Sequence, residues 1–211
     1  MSKPKKPSPA RAQGAEEGAE PARGEPGQGA GPILYTVGHS NRGLEEFLAI
    51  LLKHRIVQLV DIRTLPGSRS YPHFDKDRLC ESLADAGIAY LHVPELGGRR
   101  RPRPDSVNTG WRHPAFRGYA DYMQTDVFRA AVERLAELAR ERPAAIMCSE
   151  AVPWRCHRSL VADAMQVRGF EVIDLISRTS VRPHKLTGWA RVHGLNVEYP
   201  AQEEAAPDAP R

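Results

Sequence analysis

The sequence predicts a three-layer α/β domain built on about five mainly parallel strands, and two observations predict it. Between Ile33 and Ile176, short apolar β-rich runs alternate with helical stretches of about 10–25 residues. Such spacing is what βαβ crossovers need, because a parallel return requires a dozen or more residues. The unusual polar residues also fall just after those runs, at the sheet edge where open α/β sheets bind ligands.

Residues 33–37 form the first strand and end at Gly38-His39-Ser40. Leu44, Phe47, Leu48, Leu51 and Leu52 then repeat at i, i+3, i+4, i+7 and i+8, one apolar helix face. Residues 56–60 are the second strand, running into Asp61-Ile62-Arg63, and a helix over 76–86 stops at Gly87. The third strand, 88–93, leads to Pro94-Glu95-Leu96-Gly97-Gly98. A helix or helix pair covers 116–141, with Val127, Phe128, Ala131, Leu135 and Leu138 inward. A fourth strand over 144–147 meets Cys148, a helix runs over 156–168, and 171–176 is the fifth strand. The result is a Rossmann- or flavodoxin-like layering with helices on both sheet faces.

Flanking segments differ in composition. Residues 1–32 hold six Pro, six Gly and six Ala with no aromatic or branched aliphatic side chain, so they have nothing to bury and are expected to be disordered. The Ala/Pro/acidic stretch 200–211 reads the same way, leaving one domain over 33–199. No apolar run approaches the ~20 residues that span a bilayer, and the lysine-bearing start lacks a signal peptide's apolar region. Three cysteines, Cys80, Cys148 and Cys156, are too few for a disulfide scaffold and fit a reducing cytoplasm. Net charge is +4, which permits anionic partners without requiring nucleic acid.

The chemistry concentrates in residues 148–159, CSEAVPWRCHRS. A strand end, a Pro-bearing turn and a helix start would offer free amides to an anion, with Arg155 and Arg158 as bidentate donors. A thiol there would be partly thiolate, as in thiol-dependent phosphatases and sulfurtransferases. Six residues separate Cys148 from Arg155, rather than the five of a closed phosphate loop. Glu150 suits proton transfer. His39 can hydrogen-bond a ligand or shuttle a proton, with Ser40 beside it as a helix cap or anion contact. Asp61 and Arg63 flank Ile62 and point to one side, as an ion pair or a ligand clamp.

Cys148, Cys156, His157, His39 and Asp61 are all metal-ligand types, but neither Cys-x2-Cys nor His-x3-His spacing occurs, so no metal is expected. A Cys148–Cys156 redox pair likewise lacks a Cys-x-x-Cys motif. The absence of P-loop, dinucleotide and nucleophile-elbow motifs argues against triphosphatases, simple dehydrogenases and α/β-hydrolases, and no cofactor is expected. Arg99, Arg100, Arg101 and Arg103, with Trp111, form a basic loop suited to phosphate contact and base stacking. Residues 65–74, which include Arg69, are a second insertion at the same edge, and the two loops read as a lid.

Taken in order, TVGHSNRGLEEF over 36–47, VDIR over 60–63 with Pro66, Ser68 and Arg69, Tyr90 to the 94–98 turn, Tyr119 to Met123, and MCSE over 147–150 with CHRS over 156–159 resemble the family called Domain of Unknown Function 488. The resemblance implies a bacterial or archaeal α/β domain with a Cys-x-Glu…Cys-His-Arg signature at Cys148, Glu150, Cys156, His157 and Arg158. The expected function is an enzyme on a phosphate-bearing substrate, with Arg63, Arg69 and Arg158 on the anion and Cys148 or Glu150 as the reacting group. A non-catalytic nucleotide or nucleic-acid binding module is the alternative, and a metal-dependent site stands third. The expected partner is an anionic small molecule or a nucleic acid.

Overall fold

The alternating runs pair into one sheet, seen in a computed structural model that describes residues 31–201. The expected tails, 1–32 and 200–211, fall almost wholly outside the described residues. In chain order the elements are β1 (Ile33–Gly38), α1 (Leu44–Lys53), β2 (Gln58–Asp61), α2 (Lys76–Asp85) and β3 (Ala89–His92). They continue with α3 (Pro114–Tyr122), α4 (Asp126–Glu141), β4 (Ala144–Cys148), α5 (Arg158–Gln166) and β5 (Glu171–Leu175). Three short strands follow: β6 (Val181–Pro183), β7 (Arg191–His193) and β8 (Asn196–Glu198).

Six strands form the main sheet in the order β3-β2-β4-β1-β5-β6, and β7 with β8 makes a separate hairpin. The five strands read from the sequence pair parallel. The sixth, β6, adds antiparallel to β5 and was not anticipated, because its three residues are all exposed and show no alternation.

Strand alternation divides the core. Leu34, Val60, Ala144 and Ile146 join the α3, α4 and α5 side chains on one face. Val37, Leu59, Ala145 and Met147 join α1 and α2 on the other. Both faces are covered, as a parallel sheet requires. The helix faces are narrower than the sequence pattern suggested. Leu52 and Val127 are 52% and 56% exposed, each about 100° round its helix from the buried neighbours Leu51 and Phe128. The expected 116–141 helix is a pair, broken where Thr125 Oγ1 accepts from Phe128 N (3.3 Å) and starts α4.

One buried carboxylate docks the C-terminal segment. Asp163 on α5 accepts from Tyr199 Oη (2.8 Å), Thr187 Oγ1 (2.6 Å) and His184 Nε2 (2.8 Å). His184 Nδ1 faces Asp174 Oδ2 on β5 at 3.7 Å. Burial alone would lower the His184 pKa, but hydrogen bonds and charge from Asp163 and Asp174 outweigh it and raise the value to about 9. This imidazolium therefore stabilises the fold fully below its unfolded pKa near 6.5, and that contribution is lost as pH rises through about 9. Urea unfolding should show roughly 3 kcal/mol of such loss between pH 6 and pH 10. His184→Ala should remove this slope, and an unchanged slope would contradict the assignment.

Candidate functional site

The chain leaves β1 and β4, which lie side by side, in opposite directions: β1 leads to β2 beyond β4, and β4 leads to β5 beyond β1. Crevices open at such reversals, outside the carboxyl ends of the strands. A cleft of about 650 Å³ lies there, lined by His39, Arg63, Cys148, Glu150, Cys156 and His157 among others. Both insertions reach it, through Leu65, Gly67 and Ser68 from one and Gly98, Arg99 and Trp111 from the other.

The floor begins where Gly38 and Cys148 sit in register at the ends of β1 and β4. The chain after Cys148 crosses directly over Gly38, so that a Cβ there would lie 1.8 Å from the Glu150 carbonyl oxygen. His39 Nδ1–H donates to the Ser40 carbonyl (3.0 Å), leaving Nε2 to accept from Arg63 Nη1 (3.3 Å). Burial, with the Arg63 charge, lowers the His39 pKa to about 4, so the ring is neutral at neutral pH and is available as an acceptor. Ser40 has a positive φ of 50°, bonds to Asn41 Oδ1 (3.3 Å) and does not line the cleft.

Beyond Cys148 the chain makes a short 3-10 turn at Pro153–Arg155, extends at Cys156, and enters α5 two residues later than the sequence suggested. The turn folds Cys156 back against Cys148. The two sulfurs lie within bonding distance, so the structure joins Cys148 to Cys156 as a disulfide, a pairing the sequence spacing argued against, with Cα atoms 7.8 Å apart. His157 Nδ1 lies 3.7 Å from Cys156 Sγ, and its Nε2–H donates to the Ile62 carbonyl (3.2 Å). Burial lowers the His157 pKa to about 4, so this ring too is neutral. The donor atoms of Cys148, Cys156 and His157 all lie within 4.8 Å of one another. Sequence spacing gave no sign of this cluster, because the turn rather than a helical repeat brings the residues together.

The arginines divide into engaged and free. Arg63 donates to Asp61 through Nε (2.9 Å) and Nη2 (2.6 Å), and Tyr90 Oη donates to the same carboxylate (2.8 Å). Asp61 is fully buried beneath the cleft, where it holds Arg63 rather than facing a ligand. Arg158, expected on the anion, is 1% exposed and absent from the lining. Its guanidinium donates to the carbonyls of Glu150 and Ala151 and to Cys148 Sγ (3.2 Å). The Ser159, Leu160 and Val161 amides bond back to Cys156 and His157, so the start of α5 is no open anion cradle. Arg69 is exposed outside the lining.

In the basic loop, Arg100 packs over the Tyr122 ring (3.7 Å) and Arg103 pairs with Asp105 (2.7 Å). Arg101 is exposed, whereas Arg99 reaches the cleft. Trp111 stacks on Phe116 and meets Trp189 edge-on. Glu95 turns away to Arg134 (3.4 Å) on α4. Arg155 and Glu150 line the cleft, and the Glu150 carboxylate makes no salt bridge among the described residues. Sequence reasoning passed over Trp154, which is 55% exposed on the rim beside Arg155. Its position between Pro153 and Arg155 in the densest motif was the available signal.

One protein-family model, described as Domain of unknown function DUF488, matches residues 43–165. No curated protein and no solved structure matches the chain. No helix among the described residues is long and apolar enough to cross a membrane.

Proposed function

The chain belongs to the DUF488 family, whose description assigns no reaction, and from the cleft we propose an enzyme that acts on a phosphate-bearing substrate, a nucleotide in preference to a polymer. One observation carries the reading: Arg99 and Arg155 border the same cleft as Glu150 and the Cys148–Cys156–His157 cluster. The arginines supply bidentate anion donors, and Glu150, without an ion pair among the described residues, moves a proton. Contact with Cys156 argues against Cys148 as a lone nucleophile. Trp154, 55% exposed and with the Arg182 guanidinium 5.2 Å from its ring centroid, leaves its other face for a base to stack on.

The non-catalytic nucleic-acid reading is weaker, because Arg100, Arg103 and Trp111 are already occupied within the protein. Calorimetry with inorganic phosphate and nucleoside monophosphates tests the proposal. Arg99→Glu and Arg155→Glu should each weaken both ligands about 10-fold or more, since a charge-assisted hydrogen bond contributes roughly 1.5–3 kcal/mol. Trp154→Ala should weaken only the nucleotides, by roughly 1–3 kcal/mol. Turnover of a bound nucleotide should fall with Glu150→Gln while binding is retained. Absence of binding to every ligand at low salt would defeat the reading.

A further inference from the structure

We infer that Cys148, Cys156 and His157 form a three-ligand site for zinc, with the fourth position open to the cleft. The inference goes beyond the substrate reading and does not depend on it.

Three protein donors and one open position are the pattern of catalytic zinc, and two thiolates with one imidazole are an established donor set. Here the three donor atoms converge within 4.8 Å at the base of the cleft. A disulfide would explain two of them but leaves the third unused. It also fits the backbone poorly. Relaxed disulfides hold their Cα atoms about 4.4–6.8 Å apart, whereas these lie 7.8 Å apart. Once the pair is reduced and the sulfurs part, a metal about 2.3 Å from each accommodates the wider span.

The surroundings prepare each ligand. Metal-binding histidines characteristically donate their other ring N–H to a carboxylate or carbonyl, which fixes the tautomer. His157 Nε2–H does so to Ile62, leaving the Nδ1 lone pair on the side of the sulfurs. Arg158 donates to Cys148 Sγ (3.2 Å) from beneath, and its positive charge favours the thiolate. Two thiolates and a neutral imidazole balance a divalent cation. Binding converts two thiols to ligands and releases their protons to solvent, with no change of oxidation state. The open position would receive water or a substrate oxygen, which a Lewis acid polarises.

The test uses the full chain, reduced with a phosphine, stripped with a chelator and titrated with Co²⁺. The expected result is one Co²⁺ per chain, with thiolate charge-transfer absorption and tetrahedral d–d bands that Zn²⁺ displaces. His157→Ala should weaken uptake by more than about 100-fold, since outer-shell partners alone are worth about 10–100-fold. Cys80→Ser should change nothing, since Cys80 is exposed outside the cluster. In a second measurement needing no variant, Zn²⁺ should protect Cys148 and Cys156, but not Cys80, from alkylation. Reduced wild type that binds no Co²⁺ and alkylates equally with and without Zn²⁺ would overturn the site. So would isolated protein with only Cys80 free that, once reduced, still takes no metal, leaving a redox pair. Nucleotide binding measured on the stripped protein keeps failure of the substrate reading separate.

Discussion

Replacing Asp61 with alanine is expected to destabilise the domain by about 3–5 kcal/mol, because it strands a buried cation. Asp61 is fully buried and Arg63 is 5% exposed. The carboxylate accepts from the Arg63 backbone amide (3.0 Å), from two guanidinium nitrogens and from Tyr90 Oη. Without it, Arg63 keeps its charge with no carboxylate to balance it, and Tyr90 loses its acceptor. Adding Arg63→Met should recover most of the loss, since removing both members of a buried pair is far milder than removing one. Urea unfolding of the two single variants and the double variant measures the coupling. A loss below about 1 kcal/mol for Asp61→Ala would show that water replaces the carboxylate easily.

The pairing also ranks the arginines of the cleft. Arg63 spends Nε and Nη2 on Asp61 and Nη1 on His39, so its charge is largely neutralised where it stands. Arg99 and Arg155 carry no such partner among the described residues, and net attraction for an anion rests mainly on them. The Asp-x-Arg motif therefore shapes the cleft, while less conspicuous arginines supply its field.

The layers were legible because a strand such as Ala144–Cys148 is buried on both faces and stands out as a continuous apolar run, and the apolar residues before Asp61 mark β2 in the same way. The strand-end polar residues were legible for a related reason: Gly38 and Cys148 end adjacent strands in register, so whatever follows them must share an edge. Strands β6 and β7 were not legible, since each is three residues long and all of them are exposed, which leaves no apolar alternation to read. Nor was the role of Arg158. From its neighbours it reads as an anion ligand, but Glu150 and Ala151 turn their carbonyls toward it, and only the folded loop places them there. The metal-type cluster stayed hidden because the 3-10 turn at Pro153–Arg155, not a ligand-spacing motif, closes it.

Arg158→Met should cost about 2–4 kcal/mol and disorganise the loop that carries the cluster. Arg158 is among the largest fully buried side chains, and its guanidinium bonds two loop carbonyls and one sulfur at once. Methionine fills part of the volume but leaves those acceptors without a donor. For a domain of this size the Tm should fall on the order of 10 °C. Arg158→Lys should rescue little, because a single ammonium cannot reproduce the fork that spans three acceptors. The distinguishing readout is the thiol chemistry. With the guanidinium gone, the Cys148 thiolate loses its nearest positive charge and the loop its anchor, so Zn²⁺ protection of Cys148 and Cys156 against alkylation should weaken while Cys80 reacts as before. A variant that loses stability but keeps full Zn²⁺ protection would make Arg158 a packing residue only. Loss of protection at a temperature where the variant is still folded would tie the buried arginine to the site above it.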